Sequence, residues 1–384
     1  MSLIGMRVAV VGAGVAGLAV ARALALRGAV VTVYEQASVI SEIGAGVQVS
    51  PNGAVVLRAL GLAAALAAAS LRAQAVELRD GATGGLVTRL EVGRLRPAQG
   101  YHFLHRADLI GILRDGAVEA GVEVRLLSRV AAVETAALVL EDGTRVAADL
   151  VIGADGVHSQ VRAVLNGAEV AQFTGQVAWR ALIAGDGGAA VAEVHIGPGR
   201  HLVSYPLRGG ALRNIVAVEE RRGWAEESWS VRDDPLALRL AFKGYSGRVR
   251  GWLEQIEDVW LWGLFRHPVA AVWGRDAVAI VGDAAHPTLP FLAQGASMAL
   301  EDAWVLAASL AASDGVAAGL AGYQAARAAR CGRIVAASAR NARLYHLGGA
   351  ARVAAHAGLR LGGWIAPEMA LRQFDWLYGF DATA

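Results

Sequence analysis

Short apolar runs that end in glycine-rich turns recur along this chain, and helical or alternating periodicity fills the intervals between them. The first run, Val8 to Val11, is too short for a helix and predicts a buried strand; it enters Gly12-Ala13-Gly14-Val15-Ala16-Gly17 and continues as the apolar helical stretch Leu18 to Leu24. A second strand is expected over Val30 to Tyr34. Residues 41–49 read as a loop, after which Ser50 suits a helix N-cap and Pro51 the first position of a helix running to Leu60. Ala73 to Arg79 and Leu86 to Glu91 alternate like strands bracketing Asp80-Gly81. Helical spacing returns from His105, with Leu109, Ile112 and Leu113 on one face, and Val122 to Val124 reads as a strand. Arg129 to Ala147 then predict a three-stranded meander turning at Glu141-Asp142-Gly143.

The opening pattern repeats twice. Asp149 to Gly153 is a buried strand running into Asp155-Gly156 and a helix over Ser159 to Leu165, and Val278 to Val281 is another that runs into Gly282-Asp283. Between them, Val191 to Ile196, His201 to Leu207 and Asn214 to Val218 alternate as strands, Asp234 to Leu253 look helical, and Val259 to Trp262 form a further strand. From Gly295 the chain is helical almost to Arg343, broken near Asp314-Gly315. The expected class is α/β: a Rossmann-like domain from residues 1–72, 100–170 and 266–312, an inserted and mainly antiparallel sheet from 73–99 and 171–265, and a C-terminal helical region over 313–384.

Composition narrows the setting. At 384 residues, 55% hydrophobic and 18% charged, the chain can bury a large core, and its apolar stretches fit soluble helices better than membrane spans. The N-terminus lacks a secretory pattern and the single cysteine, Cys331, cannot form an internal disulfide, so a cytoplasmic location is expected. A net charge of +2 gives no electrostatic footprint for nucleic acid. The nine histidines are scattered and no metal site emerges; a GxSxG nucleophile elbow is also missing.

The chemistry sits in the turns. In the first, Gly12 serves the tight turn, Gly14 the close approach of a pyrophosphate with Val15 beside it, and Gly17 the packing of helix on strand. Glu35, next to Gln36, ends the second strand 23 positions after Gly12 and can accept hydrogen bonds from ribose hydroxyls. This unit alone leaves NAD and FAD open.

The three turns together, GxGxxG, Asp155-Gly156 and Gly282-Asp283, resemble the fingerprints of the single-component flavoprotein hydroxylases, the family of p-hydroxybenzoate, salicylate and 3-hydroxybenzoate 6-hydroxylases. The resemblance runs from about Met6 to Asp302 and is looser in the later helices. It implies an NAD(P)H- and O2-dependent FAD monooxygenase that hydroxylates a small aromatic (a hydroxybenzoate, salicylate, phenol or N-heteroaromatic) through a flavin C4a-hydroperoxide. It also implies that Asp283 binds the ribityl chain, that Asp155 and Gly156 serve FAD and NAD(P)H, and that Arg106 and Val47 contact the cofactor. Arg106 has the alternative of a surface salt bridge. Pro287 to Gln294 match the flavin-proximal loop with Pro290 near substrate, and the helix beginning at Gly295-Ala296 can stabilise negative charge on reduced flavin.

Gln294 is the expected polar substrate contact. His201, Val203 and Tyr205 share one strand face, with Leu202 and Ser204 on the other, and Tyr205 can orient or deprotonate a phenol. His195, His201 and Ser204 compete for that role, whereas His286 reads as a loop-structuring residue. Trp224, Trp229, Trp252, Trp260, Trp262 and Trp273 can line an aromatic pocket or simply pack. No partner beyond the substrate is expected, and the chain is read as a monomer or homodimer. The alternatives are a flavin-dependent epoxidase or reductase acting on a non-aromatic substrate, or a non-catalytic flavin-binding protein.

Overall fold

Residues 1–40, 46–134, 136–223, 231–365 and 367–384 are described by the computed structural model of the chain. Residues 41–45, Trp224 and Trp229 lie outside them. A six-stranded sheet runs in the order Gly274–Arg275, Val278–Ile280, Leu150–Gly153, Arg7–Val11, Val30–Tyr34 and Glu123–Arg125, parallel except for its first pair. Its apolar strands are buried on both faces, as parallel strands must be, because helices Val15–Ala25 and Gly295–Ala312 and their neighbours cover them.

An eight-stranded sheet stands against it, ordered Arg232–Asp233, Val259–Arg266, Gln172–Ala184, Leu212–Glu220, Arg200–Leu207, Val191–Gly197, Ala75–Asp80 and Leu86–Leu90. Every pairing is antiparallel except Val191–Gly197 with Ala75–Asp80. Alternation, interrupted at Phe173/Gln176 and Leu78/Arg79, divides its side chains between two faces. The outer face packs Trp179, Leu202 and Ala217 against helices Pro235–Ala241 and Gly247–Glu254. The inner face remains for a cleft. The meander over Val130–Ala147 forms a separate small sheet. Helices Val316–Tyr345, Gly349–Ile365, Pro367–Arg372 and Asp375–Tyr378 complete the chain. Among the described residues, no helix is long and apolar enough to cross a membrane.

Three local expectations change. Gly46–Val49, read as loop, is a strand paired with His102–His105, a partner too distant in sequence for local periodicity to reveal. The helix expected over Asp234 to Leu253 is two helices separated by Phe242–Ser246, where Gly244 weakens helix continuation. Ser50 precedes helix Pro51–Ala59 without a side-chain cap, because its hydroxyl instead donates to Asn52 Oδ1 at 2.6 Å.

Candidate functional site

The opening turn shows why glycine is needed there. Gly12 adopts φ +100, and a Cβ on it would lie 2.6 Å from the Ala154 carbonyl oxygen. A Cβ on Gly17 would stand 1.9 Å from the Gly12 carbonyl oxygen, so only glycine lets the helix begin this close to the strand. At Gly14 the same atom meets nothing within 4 Å and the residue borders a cleft, which leaves its backbone accessible to a ligand. Glu35 sits beside this turn, where its carboxylate accepts the amide N–H groups of Ala13 at 2.8 Å and Ala37 at 2.9 Å. Gln36 is exposed next to it.

The cleft has a volume of about 1120 Å³ and runs from Gly14, Val15 and Gly156 past Arg106, Val47 and Asp283 to Pro287, Pro290, Gln294, Gly295 and Ala296. Asp283 opens into it, yet the surrounding protein raises its carboxyl pKa by desolvation, with His286 and Arg106 pulling the other way. Arg106 lines the same cleft and lies within electrostatic reach of Asp283. Asp155 points elsewhere: its carboxylate accepts Ser159 Oγ at 2.5 Å and the Gln160 amide at 2.8 Å, fastening the start of helix Gln160–Asn166. Burial raises its pKa despite those bonds. Gly156, at φ +78, is the member of this turn that reaches the cleft.

The opposite wall is the inner face of the large sheet. His201, Val203 and Tyr205 line the cleft together, while Ser204 accepts a hydrogen bond from Arg213 at 3.0 Å on the other face. His195 also faces outward, toward Glu193 at 3.1 Å and the Trp252 ring. Tyr205 is buried, and desolvation raises its pKa, with Arg180 and Gln48 opposing, so the group is a phenol able to donate. Arg180 lines the same wall, its guanidinium 4.2 Å from the Trp262 ring centroid.

Sequence reasoning did not anticipate His346. Its Nε2 lies 2.7 Å from His201 Nδ1, and its Nδ1 lies 2.8 Å from Glu220 Oε1 and 3.3 Å from the Gln176 amide. Glu220 is 55% exposed, so the chain of groups begins at the cleft and ends in solvent. Burial and the neighbouring imidazole hold His201 well below the ordinary 6.5, and burial likewise lowers His346. No local pattern marks His346, which terminates a long helix as its C-cap.

Gln294 is placed differently from expectation. Although it borders the cleft, it is 1% exposed, and its carboxamide donates to Ser50 Oγ at 2.9 Å and accepts from Asn52 Nδ2 at 3.1 Å. Ser50 also reaches Ser297, and Asn52 reaches Glu301. The side chain is thus committed to anchoring the loop. His286 is structural in its contacts: its Nε2 meets Asp302 at 2.5 Å and its ring packs on Trp273. Burial opposes its charging, but the Asp302 carboxylate outweighs that and holds its pKa well above the usual range. Among the described residues, His286, Asp302 and Cys331 form a group of metal-ligand type. Arg327 already fills that role electrostatically, donating to Asp302 at 2.8 Å and Cys331 at 3.3 Å.

Residues 5–338 match the family model described as FAD binding domain. The chain is 36% identical to a 3-amino-4-hydroxybenzoate 2-monooxygenase of Streptomyces platensis, across 98% of this chain and 96% of that protein. The chain belongs to the FAD-dependent aromatic hydroxylases. A 3-hydroxybenzoate 6-hydroxylase of Klebsiella oxytoca is 35% identical over 98% of this chain and 97% of the relative. Among solved structures, Klebsiella pneumoniae HpxO complexed with FAD and uric acid superposes with TM-score 0.83 at 25% identity, covering 95% of each chain. These relatives bear out the α/β flavoprotein fold, FAD as cofactor and monooxygenase activity on an aromatic. They do not favour the epoxidase, reductase or non-catalytic alternatives.

Proposed function

We propose that this hydroxylase acts on a phenolic aromatic, with NAD(P)H as reductant and O2 as co-substrate, and that His201 accepts the phenolic proton. The observation that supports the assignment is the position of His201, on the cleft wall at one end and hydrogen-bonded toward solvent at the other. The cleft fits FAD: Gly14 leaves backbone open, Asp283 offers acceptors, Arg106 offers a cation, and helix Gly295–Ala312 presents its N-terminus. In this reading Gly12, Gly14, Val15, Gly17, Glu35 and Gln36 hold the ADP end; Val47, Arg106, Asp155, Gly156, Asp283, Pro287, Gly295 and Ala296 hold the remainder directly or by shaping the turns.

Bound FAD supplies the reductive activation of oxygen for transfer of one oxygen atom to the ring. The protein supplies geometry and proton handling. The Glu220 carboxylate can only accept, and at 2.8 Å it takes the Nδ1 proton of His346, so the Gln176 amide nitrogen 3.3 Å away makes no hydrogen bond to that atom and His346 Nε2 is left to accept from His201 Nδ1. His201 Nε2 then carries the lone pair for the substrate hydroxyl. Loss of that proton enriches the ring in electrons, as attack by an electrophilic oxygen requires. Tyr205 donates a hydrogen bond that orients the ring, and Arg180 balances the developing negative charge. Pro290 shapes the loop facing the sheet, and Gln294 holds that loop in place. Cytoplasmic placement fits the single buried thiol.

The decisive experiment supplies the FAD-loaded enzyme with NADH or NADPH and a panel of hydroxybenzoates and phenols. Substrate-stimulated oxidation with matching hydroxylated product supports the reading. Oxidation that yields no hydroxylated ring with any of them overturns it.

A further inference from the structure

The cleft does not stop at His201 and Tyr205. It continues sideways beneath three more strands, where Val194 and Ile196, then Val76 and Leu78, then Leu90 present side chains to it. These residues stand in register: Val203 pairs with Val194, Val194 with Leu78, and Leu78 with Thr88, a single row crossing the sheet. Three strand spacings of about 4.8 Å carry the row roughly 14 Å beyond the strand that bears His201. That extension exceeds what a lone benzene ring occupies.

The other side of this lobe is helix Gly349–Ile365, whose cleft-lining residues Ala355, Gly358, Leu359, Gly362 and Gly363 are small or apolar. The helix is tied to the sheet by Arg352 and His356, both paired with Asp80. Added Cβ atoms at Gly358 and Gly362 would meet nothing within 4 Å, so the glycines leave room that larger residues would remove. Apart from Thr88 and His356, the side chains named here that line the lobe offer a substrate only hydrocarbon contact.

We infer that this lobe is a second substrate compartment and that the aromatic substrate carries an extended apolar substituent, alkyl or aryl, which lies along Val194 and Leu78 toward Leu90, the cross-strand partner of neighbouring Val76. The inference rests on the ring position given by the proposed function. With the ring beside His201 and Tyr205, a substituent directed toward strand Val191–Gly197 enters the lobe without leaving the cleft. The lobe sets specificity by excluding water from that substituent, each buried methylene contributing to binding.

Titration of the FAD-loaded enzyme with phenol and a series of alkylphenols from ethyl to octyl, followed by flavin absorbance, tests this. Affinity should tighten about fourfold per methylene until the lobe is filled. In Gly362→Phe and in Gly358→Phe, where the added side chain has room on the helix, the series should flatten while phenol binds as before. Absence of a length effect in the unmodified enzyme, or an undiminished effect in a folded Gly362→Phe, overturns the inference. Failure of the proposed function looks different: no phenol, short or long, would yield a hydroxylated product.

Discussion

His201 Nδ1 and His346 Nε2 stand 2.7 Å apart in the buried wall of the cleft, although 145 residues separate them in sequence. Two neutral imidazoles at that distance move a proton by tautomeric exchange without either becoming a lasting cation. This suits a site where burial disfavours the charged form of both. His201→Gln should lower kcat by roughly a hundredfold. His346→Gln should lower it by about tenfold with little change in KM, and added imidazole should restore part of the rate. A folded His346→Gln enzyme with unchanged kcat and no response to imidazole would remove the relay.

The same depressed pKa has a consequence for stability. Below about 6.5 the unfolded chain binds a proton at position 201 that the folded chain does not, so stability is full above that pH and is lost as pH falls. Between about pH 6.5 and 5.5 the native enzyme should lose about 1 kcal/mol more than His201→Gln, measured by urea unfolding at each pH. Equal losses in both proteins would contradict the assignment.

Gly14→Ala and Gly17→Ala should behave oppositely. The added methyl at 14 enters open space, so the fold should persist while FAD affinity falls; at 17 it collides with the Gly12 carbonyl, so folding itself should suffer. Thermal melting and FAD titration separate the two outcomes. Similar melting temperatures for both variants would be inconsistent with the geometry.

Asp283→Ala should weaken FAD binding by roughly ten- to a hundredfold, since hydrogen bonds to a charged acceptor contribute about 1.5–3 kcal/mol. Purification with full flavin occupancy at low FAD would argue against the assignment. Gln294→Ala should instead lower stability by about 1–3 kcal/mol, because it leaves Ser50 and Asn52 with a lost partner inside the protein. An unchanged melting temperature would return Gln294 to the role of direct substrate contact.

What could be read from sequence was what depends on neighbouring residues. Gly12, Gly14, Gly17 and Glu35 announce themselves because a tight turn and a strand end fix their spacing within one local unit. His201, Val203 and Tyr205 could be placed on one face because a strand alternates. The hydrogen bonds of Gln294 were not legible because its partners, Ser50 and Asn52, lie 244 and 242 positions away. His346 was missed for the same reason, and Gly46–Val49 gave no strand signal until paired with His102–His105. Long-range pairing assembles both the loop anchor and the relay.

The chain holds one cysteine, and it is buried at 0% exposure with Arg327 against its sulfur. A thiol-reactive dye would therefore find the native protein unreactive. A cysteine placed at exposed Leu361, on the helix that walls the apolar lobe, would become a unique attachment point without altering Cys331. Fluorescence from that one position would report directly whether the helix shifts when long-chain phenols bind.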